Sequence, residues 1–592
     1  MNSEPEFELL YCLKKASATS FTQRDIARDL GLSLGKVNAL IRDGAEKGLI
    51  RADDGRYHLT AAGEAALEPY RVDNAVIMAA GMSTRFAPLS YEKPKGLLKV
   101  RGEILIERQI RQLREAGITD ITVVVGYLKE QFFYLEEKYG VRLVINEDYY
   151  RYNNTSTLIR VADRLKNTYL CSSDDYFVDN VFEPYVFRGY YAAVYAPGPT
   201  DEYCLACDAH GRIKGVTIGG ENAWTMLGHV YFDRAFSERF TEILRREYET
   251  PQTREQLWEN LYMRHLKELS LYIRKYDRER VLEFDSLEEL RAFDPEYINN
   301  ADSGILKNIC RTLNCEIREI VDIEAIKAGL TNTSFRFSVR GEQYVYRHPG
   351  RGTEQYINRQ SEAFSMKVAA ENGLDGTFID MDEKGGWKIS HYISHARELD
   401  YHHPEEVEKA LAIMRRLHAL RTKSPYDFGI WNKTMEFLDR LQTIGKTDYE
   451  GFDELKQKMC DLEEQLKTDG FAVSCLCHND CYAPNFLLDE RGNMSLIDWE
   501  YSGNDDPASD LGTFICCSDY TEEEVLNVIR KYLDHEPEEG ELRHLLGYVA
   551  IASYYWFLWA LYQESRGNAV GEWLYLWYRN SRRYVEKTLA MF

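Results

Sequence analysis

Residues 75–85 read Ala75-Val76-Ile77-Met78-Ala79-Ala80-Gly81-Met82-Ser83-Thr84-Arg85. The unbroken apolar run at the front predicts a strand buried on both faces. The small-residue turn after it lets backbone N–H groups approach an anion, with Gly81 permitting the turn and Arg85 adding positive charge. A helical stretch from Ile106 to Ala116 and a second apolar strand, Ile121-Thr122-Val123-Val124-Val125, follow. This alternation predicts a doubly wound, Rossmann-like α/β domain over residues 71–299.

Beyond the turn the sequence continues as Arg85-Phe86-Ala87-Pro88-Leu89 and then Lys93-Pro94-Lys95-Gly96-Leu97-Leu98. The whole segment resembles the nucleotidyltransferase signature of sugar-nucleotide pyrophosphorylases and phosphocholine cytidylyltransferases. That resemblance implies in-line attack by a phosphate monoester on a nucleotide α-phosphorus, with pyrophosphate leaving and Mg²⁺ bridging the anions. It assigns the nucleotide to Ala80, Gly81, Met82, Ser83, Thr84 and Arg85, and the substrate phosphate or α-phosphate to Lys95. Two metal-binding carboxylates are implied, Asp174 in Ser172-Ser173-Asp174-Asp175 and Asp285 in Glu283-Phe284-Asp285. Asp175 stands where the family carries Asn, so either neighbour is open as the ligand. Asn154, in Tyr152-Asn153-Asn154-Thr155-Ser156, matches the base-recognition region, with helix capping as the alternative reading. CTP is the implied nucleotide and UTP stays open.

A second constellation lies near the other end: His478-Asn479-Asp480-Cys481-Tyr482-Ala483-Pro484-Asn485, then Ser495-Leu496-Ile497-Asp498-Trp499-Glu500-Tyr501. It resembles the catalytic and metal loops of the choline kinase and aminoglycoside phosphotransferase group, which implies a protein-kinase-like fold over residues 300–592. By that resemblance Asp480 accepts or orients the hydroxyl proton, His478 braces the loop, and Asn485 and Asp498 converge on Mg²⁺ bound to ATP. Thr331 and Asn332 fall in the turn expected over the phosphates. Arg347 stands where protein kinases carry a lysine, and Glu362 is the helix carboxylate expected to orient it.

A quaternary ammonium donates no N–H hydrogen bond, so aromatic faces and nearby carboxylates must hold it. The helix Tyr554-Tyr555-Trp556-Phe557-Leu558-Trp559 resembles the choline-kinase helix whose paired tryptophans wall the pocket. Trp556 and Trp559, three apart on one helix face, are therefore expected to bind choline together with Tyr501. Plain core packing is the rival explanation.

Residues 1–70 resemble a winged helix-turn-helix domain: Thr22 and Ser33 are expected N-caps, and Asp53-Asp54-Gly55 predicts a hairpin. DNA binding by this segment is open, because Lys36, Arg42 and Lys47 share their helix with Asp43 and Glu46.

The 592-residue chain is too long for one core and carries a formal net charge of −23, which argues against nucleic acid or anionic membrane as a partner of the whole molecule. Without a signal-peptide pattern at the start, the chain is expected in the cytoplasm, with its twelve cysteines as reduced thiols. The apolar stretch from Leu545 to Leu561 is expected to be a buried helix rather than a membrane span.

Together these readings predict a multidomain α/β and α+β enzyme with two consecutive steps. Choline is phosphorylated with ATP, and phosphocholine is then joined to CTP, giving CDP-choline and pyrophosphate. By resemblance to bacterial choline-incorporation pathways, the product would supply phosphocholine for surface glycans. The alternatives are ethanolamine or another amino alcohol, and a transcription regulator using enzyme-derived domains as sensors.

Overall fold

The run of residues 74–79 becomes the strand Asn74–Ala79, which pairs in parallel with Ile121–Val125 on one side and Thr168–Ser172 on the other. It belongs to a seven-stranded sheet. In spatial order the strands are Tyr272–Tyr276, Tyr190–Cys207, Ile213–Phe232, Thr168–Ser172, Asn74–Ala79, Ile121–Val125 and Arg142–Ile145. Alternate residues of the strand feed two cores. Ala75, Ile77 and Ala79 pack with Ile106, Ile110 and Leu113 of the helix Leu105–Glu115. Val76 faces Phe236, Phe240 and Leu244 of Arg234–Glu247, and Trp258. Burial on both faces is why the sequence reads as a continuous apolar run. The Gly81 turn leaves the sheet where the strand order reverses, the place at which open α/β sheets bind ligands.

The structure is a computed structural model that describes residues 3–15, 21–53, 55–299, 302–326, 332–350, 353 and 357–592. These divide into two compact units, Met1–Arg311 with Glu316–Arg318, and Thr312–Cys315 with Glu319–Phe592.

The first unit also holds the helices Glu4–Lys15, Gln23–Leu30 and Leu34–Glu46, and the antiparallel pair Ile50–Asp53 and Arg56–Leu59. Thr22 caps the second helix in a capping box with Asp25, and Ser33 accepts the Lys36 N–H at the start of the third. Asp54, in the expected hairpin turn, lies outside the described residues. Phe7, Leu10, Ile26 and Val37 form a core shared with Tyr185, so this segment packs against the rest of its unit.

The second unit begins with an antiparallel sheet in the order Ile320–Ile326, Asn332–Val339, Glu342–Pro349, Lys388–His391 and Phe378–Met381, with the helix Arg359–Glu371 following the third strand in sequence. The remainder is mostly helical. The helix Glu539–Ser565 is long and apolar enough to cross a membrane, yet 78% of its most apolar window is buried. It packs against Pro507–Cys516 and Glu572–Leu589, which makes it the core helix of this unit. All twelve cysteines are free.

Candidate active sites

In the first unit the phosphate turn and the acids converge on Lys95. Its Nζ lies 2.8 Å from Asp174, 3.7 Å from Glu283 and 3.9 Å from Asp285, and its side chain is 6% exposed. Gly96 allows this approach: a Cβ there would stand 2.7 Å from Ser173 Cβ and 3.0 Å from its carbonyl oxygen. Asp174 is the acid that faces the lysine. Asp175 turns inward, accepts the Ser172 N–H, and is pushed well up by burial and by Glu283. Burial and the nearby Asp174 also lift the Glu283 carboxyl to about 8.

Arg85 is 83% exposed and reaches to 3.8 Å from Asp285. The left-handed residue of the turn is Ser83, with φ 47°, rather than Gly81. Gly81 instead leaves open space where a Cβ would stand. Ala80 through Thr84, Lys95, Asp174 and Asn154 line one cavity of about 470 Å³. Asn154 makes no side-chain cap for its own helix. Its amide oxygen accepts the Trp258 N–H at 2.7 Å, and its NH₂ donates to Glu259 at 3.4 Å.

In the second unit the acids gather around Arg347, whose side chain is 7% exposed. It pairs with Glu362, lies 3.1 Å from Asp498 and reaches to 4.0 Å from Glu500. Arg359 donates to Glu362 at 2.9 Å and to Asn332 at 3.1 Å, and Asn332 donates to Glu500 at 3.0 Å. Thr331 lies outside the described residues.

Asp480 accepts the Asn485 amide N–H at 2.9 Å, and burial followed by the nearby Asp498 pushes its carboxyl well up. Burial would lift Asp498 too, but Lys388 and Arg347 hold it low. His478 donates to the Ile497 carbonyl at 2.9 Å if Nε2 carries the proton, which ties the two loops together. Asp510 accepts the backbone N–H groups of His478 and Asn479 at 2.9 and 2.6 Å and lies 2.9 Å from His418 Nε2.

Tyr501, Trp556 and Trp559 do come together. The ring centroids of Tyr501 and Trp556 are 5.9 Å apart, and those of Trp556 and Trp559 are 5.6 Å apart. Trp577 joins them 5.8 Å from Trp556. An adjoining cleft lined by Phe428, Glu436, Phe437, Tyr501 and Tyr555 holds about 20 Å³.

Sequence reasoning missed Glu283, Glu500, Asp510 and Trp577. Glu283 and Glu500 each stand two residues from an acid that was chosen, just beyond the strands Val281–Leu282 and Met494–Leu496. Asp510 carries no such signal. At both sites the acids are hard oxygen donors of the kind Mg²⁺ takes, and at the first their crowding around Lys95 is what a divalent cation would relieve.

The family model for a MobA-like NTP transferase domain matches residues 75–182, and that for Choline/ethanolamine kinase matches residues 323–582. A choline-phosphate cytidylyltransferase of Streptococcus pneumoniae is 34% identical over 220 residues, covering 37% of this chain and 96% of that protein. The chain belongs to the cytidylyltransferase family. Within it, a 2-aminoethylphosphonate cytidylyltransferase of Lancefieldella rimae is 37% identical over 229 residues, 38% of this chain and 93% of that protein. Protein LicA of Haemophilus influenzae is 27% identical over 255 residues, 41% of this chain and 94% of that protein. This cytidylyltransferase is therefore an enzyme that carries a choline kinase-like domain as well.

Proposed function

We propose that the second unit phosphorylates choline with ATP and that the first couples the resulting phosphocholine to CTP, releasing pyrophosphate, with the CDP-choline serving surface glycan decoration. The observation that carries the reading is the ring cluster of Tyr501, Trp556, Trp559 and Trp577 in the same unit as the Asp480 loop. Aromatic faces of this kind recognise a trimethylammonium group. Of these rings, Tyr501 also lines the adjoining small cleft.

In this reading Asp480 accepts the choline hydroxyl proton, Asn485 holds that carboxylate, and Arg347, fixed by Glu362, meets the ATP phosphates. In the first unit the phosphocholine oxygen attacks the α-phosphorus while Lys95 and Arg85 neutralise charge and Ala80 through Thr84 cradle the triphosphate. Asp174, Glu283 and Asp285 would hold one Mg²⁺, and Asn485 with Asp498 another. Each ion would neutralise phosphate oxygens when bound.

The 2-aminoethylphosphonate relative motivates a second substrate reading for the transferase. A kinase yields a phosphate monoester, not a carbon–phosphorus bond, so the kinase domain on the same chain favours phosphocholine. The first 70 residues have the element order of a winged helix, but Lys47 is paired with Glu6 and Asp43, and Arg42 lies 4.0 Å from Glu46. That pairing favours a contact or sensing role over phosphate binding.

Incubation with ATP, CTP, Mg²⁺ and choline should yield phosphocholine and then CDP-choline. With Asp480→Ala, added phosphocholine should restore product, and with Lys95→Ala phosphocholine should accumulate. Turnover of ethanolamine or 2-aminoethylphosphonate in preference to the choline compounds would overturn the assignment.

A further inference from the structure

The first unit contains a cleft that neither catalytic site uses. It lies between the helix Glu4–Lys15 and residues 183–190 and 272–274, and measures about 690 Å³, within the range of small-molecule sites. Its walls are aromatic: Phe7 packs 5.8 Å from Tyr11 and 5.6 Å from Phe187, and Tyr11 lies 5.7 Å from Tyr185.

All but one of the acids around these rings are paired with a cation. Glu4 pairs with Arg188 at 2.8 Å, and Glu183 with Arg274 at 2.8 Å. Asp29 lies 3.8 Å from Arg28. Glu8 has no hydrogen-bond or ion-pair partner among the described residues. Burial and the neighbouring Glu4 lift its carboxyl above the ordinary range, against the opposing charge of Arg188.

Lys15 indicates what would fill the place. Its Nζ lies 4.0 Å from the centre of the Tyr11 ring and 3.6 Å from Glu183, an ammonium on an aromatic face beside a carboxylate. Its side chain is 57% exposed, so it can swing into water and give up the position. We propose that this cleft binds an organic ammonium ion, which displaces Lys15 from the Tyr11 ring and takes Glu8 and Glu183 as counter-ions.

The ligand class is a choline-like cation: a positive head with an apolar shell suits rings, whereas a metal ion would seek oxygen donors alone. Because the walls come from the N-terminal helices and from the transferase sheet, an occupant would hold the two together. The cleft selects such cations whichever alcohol the kinase takes.

The test is equilibrium dialysis of the full chain against radiolabelled choline without nucleotides, with wild type, Glu8→Lys, Lys15→Ala and Trp556→Phe compared. Wild type should take up two cholines per chain, one in each unit. Glu8→Lys should lose one of them. Lys15→Ala should bind that same one more tightly, by about two- to tenfold, because the resident cation no longer competes. Trp556→Phe should weaken only the other. If the kinase takes a different alcohol, uptake falls to one choline that remains sensitive to Glu8 and Lys15. Uptake indifferent to both Glu8→Lys and Lys15→Ala would overturn the proposal.

Discussion

Each unit gathers three acids around a nearly buried cation, and the two clusters are built differently: among the described residues Lys95 is the lone buried cation of the first, whereas Arg347 shares the second with Arg359 and Lys388. Lys95 faces Asp174, Glu283 and Asp285, whereas Arg347 faces Glu362, Asp498 and Glu500. A lysine is a point charge on a flexible stem, so it meets several acids without fixing their geometry. An arginine is a rigid fork that engages two acids at once. The difference teaches that Lys95 is held by charge contacts at the end of a flexible stem, while Arg347 is fixed by Glu362, itself held by Arg359.

The sharpest break between the two is Asp480→Ala, which should lower choline phosphorylation by about 10³-fold, the usual scale for loss of a general base. Cytidylyl transfer from supplied phosphocholine should stay near wild type. Coupled and separate assays on one preparation check both halves, and loss of the two together would mean the centres are not independent.

Lys95→Ala should cut pyrophosphate release by about 10²-fold, the scale for removing one charge-stabilising group. It should also leave a crowd of acids that Mg²⁺ quiets, so added Mg²⁺ should raise its melting temperature more than that of wild type. An equal Mg²⁺ response in the two proteins would remove the argument that these acids form a metal site.

Arg347→Ala should instead destabilise the second unit by about 3 kcal/mol, as expected when one partner of a buried ion pair is removed. Arg347→Lys should recover only part of that, which denaturant titration would reveal. A full recovery by lysine would erase the contrast between fork and point charge.

Gly96→Ala tests a backbone approach rather than a charge. The new Cβ must push Ser173 aside, so transfer should fall about tenfold, as when reacting groups are misplaced by a fraction of an ångström, with kinase activity unchanged.

The smallest effect is on pH dependence. Burial lifts the Glu259 carboxyl from 4.5 to about 7, so the folded first unit holds a proton that the unfolded chain releases. Stability from this group is present below about 4.5 and is lost as pH rises to about 7. Glu259→Gln should flatten that part of the melting-temperature profile by a few degrees, and an unchanged slope would place the titration elsewhere.

Much of both candidate sites was legible because the residues that come together lie in short, continuous segments. Gly81 through Lys95 and His478 through Asp498 each bring their polar groups together within about twenty residues, and Trp556 and Trp559 share a face through helical spacing. Glu283 and Glu500 sit inside the same short segments as Asp285 and Asp498, so their nearness in sequence was the available signal. Asp510 and Trp577 carry none, since an Asp at a helix start and a Trp in an amphipathic helix look alike whether they brace a loop or face solvent.

The sequence alone determined which kinds of strand, turn and helix form and which acids and cations each loop brings, because propensity, patterning and backbone spacing act over a few residues. Only the tertiary structure decided that Lys95 sits among acids rather than in the open, that Asp174 and not Asp175 faces it, and that Lys15 rests on Tyr11 beside Glu183. Those outcomes depend on burial and on charges brought together from distant parts of the chain, and the strength of an interaction between charges is set by the distance and the surrounding medium, which local sequence does not carry.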